Sequence, residues 1–173
     1  NRQNFVGYMA MRPGVQKRGS HGLFNEKDKP IILDRVANEI ANHKGNVWSH
    51  VISLRREDAI RLGYDNSEAW RQLVMRHISD IAKNQKISLC NLKWYAAFHD
   101  TTHHPHIHLL VYSENTKEGF LTNEGINKIR SAFANDIFKD DLQSIYQEQT
   151  LSRDELKAVS KTEFESRSEE HTS

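Results

Sequence analysis

The spacing of apolar positions changes several times along the chain, and each change marks out an element. Phe5 to Met11 is a short, nearly continuous apolar and partly aromatic run that stops at Arg12-Pro13-Gly14, the pattern of a strand ending in a turn. Lys17 to Pro30 is rich in Gly, Ser, Asn, Asp and Pro and reads as a loop. Between Ile31 and His43 the residues Ile32, Val36 and Ile40 recur every four positions, which predicts a short helix with Gly45 as its stop. Val47 to Leu54 is β-branched and aromatic, a strand that runs into Arg55-Arg56. Asp65-Asn66-Ser67-Glu68 has the spacing of a helix start with Asp65 as N-cap. Behind it Trp70, Leu73, Val74, His77, Ile78 and Ile81 fall on one stripe, predicting a single amphipathic helix to about Asn84, with His77 a satisfied core histidine.

Trp94 to His99 and His106 to Tyr112 are two strands joined by a polar six-residue loop, the pattern of an antiparallel hairpin. Thr122 to Lys139 repeats Ile126, Ile129, Phe133 and Ile137 at helical spacing, and a shorter helical stretch with Leu142, Ile145 and Tyr146 follows. Ser152 to Glu155 is a second Ser-x-x-Glu start, leading an acidic helix. Helices mixed with a tight hairpin predict an α+β, two-layer sandwich: a mainly antiparallel sheet with helices on one face and the other face available to a ligand. Trp48 and Trp94 are assigned to the core. Residues 1–150 are taken as one domain, 151–166 as a helical extension, and 167–173 (RSEEHTS), which resemble a translated sequencing adapter, as a non-native tail.

Composition sharpens this in two places. The formal net charge of +1 conceals a division: through Tyr112 there are 16 Lys/Arg against 10 Asp/Glu, net +6, and from Ser113 onward 8 against 13, net −5. The first two thirds can therefore meet an anion. Mean hydropathy is −0.74, and no apolar run approaches the roughly 20 residues of a membrane span. The single cysteine, Cys90, fits a reducing compartment, so a cytoplasmic protein without membrane partners is expected. The chain opens on Asn-Arg-Gln without Met and is read as a piece of something longer.

Five of the ten histidines, His99, His103, His104, His106 and His108, fall within ten residues. Strand alternation points His106 and His108 to one face and Ile107, Leu109 and Val111 to the other. If Phe98 pairs with Ile107, His99 lies opposite His106, and three imidazoles converge. Three neutral imidazoles can hold a divalent ion with positions left open for water or substrate. Nitrogen ligands suit Mn, Zn, Co, Ni or Cu better than Mg or Ca; Mn, Mg and Zn are the ions kept in view. Asp100, His103 and His104 are placed around the ligands as partners that orient their rings.

These residues carry a resemblance. The stretch HDTTHHPHIHLLVY, from His99 to Tyr112, resembles the metal-binding motif of the HUH endonucleases, and within them that of the mobilisation relaxases. GYMAMRPGVQKRGSHGLF and GNVWSHVISLRREDAIRLGYD are similar to MobL-like relaxases, so that the likeness runs from about Asn4 to Thr150. It implies the N-terminal nickase and strand-transferase domain of a longer protein, acting on single-stranded DNA at an origin of transfer, with accessory mobilisation proteins as further partners. It also implies a divalent metal held by His99, His106 and His108 and a tyrosine nucleophile, which here is Tyr8. Phe5 stands where the family often carries a second tyrosine, and because some related relaxases use histidine, His21 is the runner-up nucleophile. Arg12, Lys17, Arg18, Arg55 and Arg56 are the expected phosphate contacts. Two other readings use the same residues: a metal-dependent phosphoesterase with water as nucleophile, and a non-catalytic DNA-binding module with a structural metal.

Overall fold

A computed structural model describes residues 1–142 and, by its backbone, one further strand, Glu165–His171. In chain order the elements are α1 (Arg2–Met11), α2 (Leu33–Asn42), β1 (Val47–Ser53), α3 (Arg56–Leu62), α4 (Ser67–Arg76), α5 (Ile78–Asn84), a 3-10 turn (Leu89–Asn91), β2 (Leu92–His99), β3 (His106–Ser113), α6 (Asn123–Ile137) and β4 (Glu165–His171). The sheet is antiparallel in the order β2-β3-β1-β4. Part of the stretch set aside as a tail, Arg167 to His171, thus pairs with β1. The expected helical stretch with Ile145 and Tyr146 and the helix from Ser152 lie outside the described residues.

The α+β sandwich follows from strand alternation. Ile52, Trp94, Ala96, Phe98, Ile107, Leu109 and Val111 share one face, and α3 to α6 close over it with Ala59, Trp70, Leu73, Val74, Ile81, Phe133 and Ile137. Trp48 and Trp94 are buried, as expected. The second face also carries a partial cover: Val6, Met9 and Ala10 of α1 and Val36, Ala37 and Ile40 of α2 pack on Val47, Tyr95, Ala97, Leu110 and Tyr112. What this cover leaves accessible lies at one end of the sheet, beside α1.

Three local expectations are corrected. Phe5–Met11 is helix, not strand. An apolar run this short fits either period, and the buried positions Val6, Met9 and Ala10 take the helical one. The Asn1 side chain caps the helix, accepting hydrogen bonds from the backbone N–H groups of Gln3 and Asn4. The helix expected from Asp65 to Asn84 starts one residue later, capped by Asn66 on the Ala69 N–H at 2.9 Å. It also breaks at His77 (φ −112°, ψ 14°), whose ring nitrogens meet Asp80 at 2.9 Å and Asp136 of α6 at 2.6 Å. His77 is therefore satisfied, as read from its stripe, but it divides two helices and ties the second to α6.

His50 in β1 points into the helical layer, 1% exposed, with its Nε2–H directed to Gln85 Oε1 at 2.7 Å. Burial holds its pKa down at about 4 against an ordinary 6.5. The unfolded chain therefore binds a proton that the folded chain refuses as pH falls from 6.5 towards 4. Stability is complete above that window and declines through it, by on the order of 3 kcal/mol from this residue. Denaturant titrations at pH 7, 5 and 4 are expected to show a shallower loss for His50→Gln than for the wild-type chain. Equal losses would show that His50 does not set the acid limb.

Candidate metal centre and nucleophile

The hairpin register is Phe98 with Ile107 and His99 with His106, the pairing expected from the six-residue loop. His99, His106 and His108 therefore share the second face. Their ring centroids are 4.7–5.2 Å apart, and one nitrogen of each lies within 4.8 Å of the others. His99 is fully buried and His108 is 8% exposed.

Each ring has a particular set of partners. His99 Nε2–H donates to the carbonyl of Met9 at 2.9 Å, leaving Nδ1 buried without a partner. His106 Nδ1–H donates to the carbonyl of His104 at 2.9 Å, leaving Nε2 as its free lone pair. Both nitrogens of His108 are buried without a partner. Desolvation, then the neighbouring imidazoles and Arg12, hold His99 at about 4 and His108 at about 3, and push His106 down as well. All three rings are thus neutral at pH 7 and offer lone pairs. Orphaned buried nitrogens are costly unless something satisfies them, and three convergent neutral imidazoles are a donor set suited to a divalent ion.

The helix α1 lies over this cluster. The chain after it is fixed to the end of β2 by hydrogen bonds from Gln16 N–H to the Phe98 carbonyl and from Asp100 N–H to the Gly14 carbonyl, both 2.8 Å. The turn between them needs φ +97° at Gly14, a conformation favoured for glycine. Tyr8, 45% exposed, consequently stands edge-on to His108 at 6.2 Å between ring centroids. Arg12, one helical turn on, hydrogen-bonds the Tyr8 hydroxyl and places its guanidinium 4.8 Å from the ring centroid.

Of the residues singled out in the sequence, Tyr8, Arg12, His99, His106 and His108 meet in one place. His21 does not: it is buried, its Nδ1 accepts from the Leu23 N–H at 3.0 Å, and its Nε2–H donates to the Ile31 carbonyl at 2.7 Å. His103 and His104 are exposed, and their contributions come through backbone carbonyls. Asp100 pairs with Arg56 at 2.6 Å rather than orienting a ligand ring. Lys17 is exposed, Arg18 pairs with Asp28 at 2.9 Å, and Arg55 lies 3.7 Å from Asp58. Two contributors went unread in the sequence. Phe5 sets its ring 6.2 Å from His108 and 6.4 Å from Tyr8, and the Met9 carbonyl fixes the His99 ring. Once α1 is a helix, its i, i+3, i+4 spacing brings Phe5, Tyr8 and Met9 together.

No curated protein and no solved structure matches the chain. Residues 15–173, which include the hairpin and all three histidines, match the family model of the MobL relaxases. A match over most of the chain that takes in the histidine hairpin is decisive for kinship, and the protein belongs to the MobL relaxases, a family that acts on DNA.

Proposed function

We propose that the chain is a metal-dependent, site-specific nickase and strand transferase of single-stranded DNA at an origin of transfer, with Tyr8 as nucleophile. One observation carries this reading: a half-exposed tyrosine, its hydroxyl hydrogen-bonded by an arginine, stands edge-on to one of three convergent neutral histidines, two of which carry orphaned buried nitrogens. His99, His106 and His108 would hold the ion. When bound, a divalent ion supplies Lewis acidity towards the non-bridging oxygens of the scissile phosphate.

The chain's own residues do the rest. Phe5 stacks on the Tyr8 ring and His108 meets it edge-on, which holds the ring of this half-exposed residue beside the cluster. Arg12 donates to the Tyr8 hydroxyl oxygen and is placed to balance the negative charge that passes through it during attack. Tyr8 Oη attacks phosphorus, the bond to the 3′ oxygen breaks, and a 5′-phosphotyrosine forms. The phenolic proton passes to solvent and the departing 3′ oxygen takes one up, so the phosphoester bond is exchanged rather than hydrolysed. Reversal rejoins a strand. His21, with both ring nitrogens engaged, does not compete for this role.

The direct test incubates the protein with single-stranded oligonucleotides tiling a transfer origin and Mn²⁺, followed by a denaturing gel. A band shifted by covalently attached DNA is expected; its absence across the true origin would sink the reading. A structural-metal module is separated by His106→Ala. His106 is partly exposed at the hairpin mouth, so the variant is expected to keep its circular-dichroism spectrum and lose the adduct, whereas a structural ion would make it unfold.

A further inference from the structure

Arg56 was expected to grip phosphates, yet its side chain is turned inward onto the loop that joins the two histidine strands. Its guanidinium pairs with Asp100 Oδ1 at 2.6 Å, donates through Nε to the Thr102 carbonyl at 3.1 Å and through Nη2 to the Thr101 carbonyl. Its backbone N–H donates to the His103 carbonyl at 3.0 Å, and the Leu54 N–H donates to the Pro105 carbonyl at 3.0 Å. The β1–α3 junction therefore holds the loop at Asp100, Thr101, Thr102, His103 and Pro105.

The hold reaches the cluster by a short path. The Thr101 hydroxyl donates to the His104 carbonyl at 2.7 Å, and that same carbonyl accepts from His106 Nδ1–H at 2.9 Å. This last bond selects the tautomer that leaves His106 Nε2 as the unprotonated nitrogen, the one able to act as a ligand. His99 and His106 are the two residues from which the loop departs and to which it returns. The planar guanidinium serves the carboxylate and both carbonyls from two nitrogens held in a fixed fork; a lysine ammonium has three donors but on a single nitrogen at the end of a flexible stem, and does not reproduce that spread.

We infer that Arg56 is a positioning residue of the metal centre: by clamping the hairpin loop it fixes the His99–His106 pair and the tautomer of His106, and so sets metal affinity. The inference rests on the metal-binding reading of the triad, and the two are tested separately in one experiment. The EDTA-stripped chain is titrated calorimetrically with Mn²⁺ and Co²⁺, beside Arg56→Ala, Arg56→Lys, Thr101→Val and the control His108→Ala. Single-stranded DNA binding is measured in EDTA over a salt series. Loss of an outer partner of a ligand typically weakens a metal site by about 10–100-fold. That loss is expected for Arg56→Ala, with incomplete recovery in Arg56→Lys and a smaller loss of the same sign in Thr101→Val. Metal-free DNA binding is expected to keep its wild-type salt slope.

A metal Kd within twofold of wild type in Arg56→Ala would overturn the inference. If weaker DNA binding and a shallower salt slope accompany it, Arg56 is a phosphate contact instead. If Arg56→Ala does not fold, Thr101→Val and Asp100→Asn decide, and unchanged metal affinity in both overturns the inference. A wild-type chain that binds neither ion would remove the metal reading itself, and the role of Arg56 with it. Metal binding by wild type but not by His108→Ala leaves the Arg56 arm as the sole arbiter.

Discussion

Tyr8→Phe is expected to abolish the covalent DNA adduct while leaving the protein folded and able to bind metal. The substitution removes one oxygen. The ring keeps its contacts with Phe5 and His108, and Arg12 keeps its place over the ring face. The hydroxyl is on an exposed residue and accepts its hydrogen bond from Arg12, itself exposed, so the stability change should stay within about 0.5 kcal/mol. The catalytic change is of another order. Removing the attacking atom of a covalent mechanism typically costs on the order of 10⁴-fold or more, which on a gel is disappearance of the shifted band. Two other outcomes would be informative. Cleavage without an adduct, unchanged by Tyr8→Phe, would establish water as nucleophile and the phosphoesterase reading. An adduct that persists in Tyr8→Phe would place the nucleophile elsewhere and dismiss the geometry of α1 as the carrier of the chemistry.

The parts of this site legible in sequence were those set by local rules. Strand alternation separated His106 and His108 from Ile107, and the length of the Asp100–Pro105 loop sufficed to oppose His99 to His106. α1 was not legible because seven almost uniformly apolar residues carry neither period clearly; only the Asn1 cap distinguished them. The remaining gaps are long-range. The Met9 carbonyl meets His99 across 90 positions, Arg56 meets Thr101 across 45, and His77 meets Asp136 across 59. No spacing rule reaches that far. Arg56 is the clearest case: its residue type invites a phosphate, and only the course of the chain shows carbonyls in its way.

His108→Leu is expected to stabilise the metal-free protein and to eliminate its stabilisation by metal. His108 is buried beneath Phe5 and Tyr8 with neither ring nitrogen hydrogen-bonded. A buried polar group left unsatisfied costs about 1–3 kcal/mol. Leucine fills similar space, keeps apolar contact with the two rings and brings no such group, so a gain of about 1–2 kcal/mol is expected in EDTA. For a chain of this size that corresponds to a rise in Tm of roughly 2–8 °C. Because burial holds His108 at about 3, the ring is already neutral at pH 7 and no charge is lost with it. Below pH 6.5 the wild-type unfolded chain takes up a proton that the folded ring refuses, so acidification should widen the variant's advantage. Metal reverses the order. At 100 times its Kd an ion that binds only the folded state adds about 2.7 kcal/mol, available to wild type and not to His108→Leu. The two melting curves should therefore cross between EDTA and Mn²⁺. A variant that is destabilised in EDTA, or that retains the Mn²⁺ shift, would show that His108 is a structural ring; a crossing would mean that folding stability is sacrificed there to keep a ligand ready.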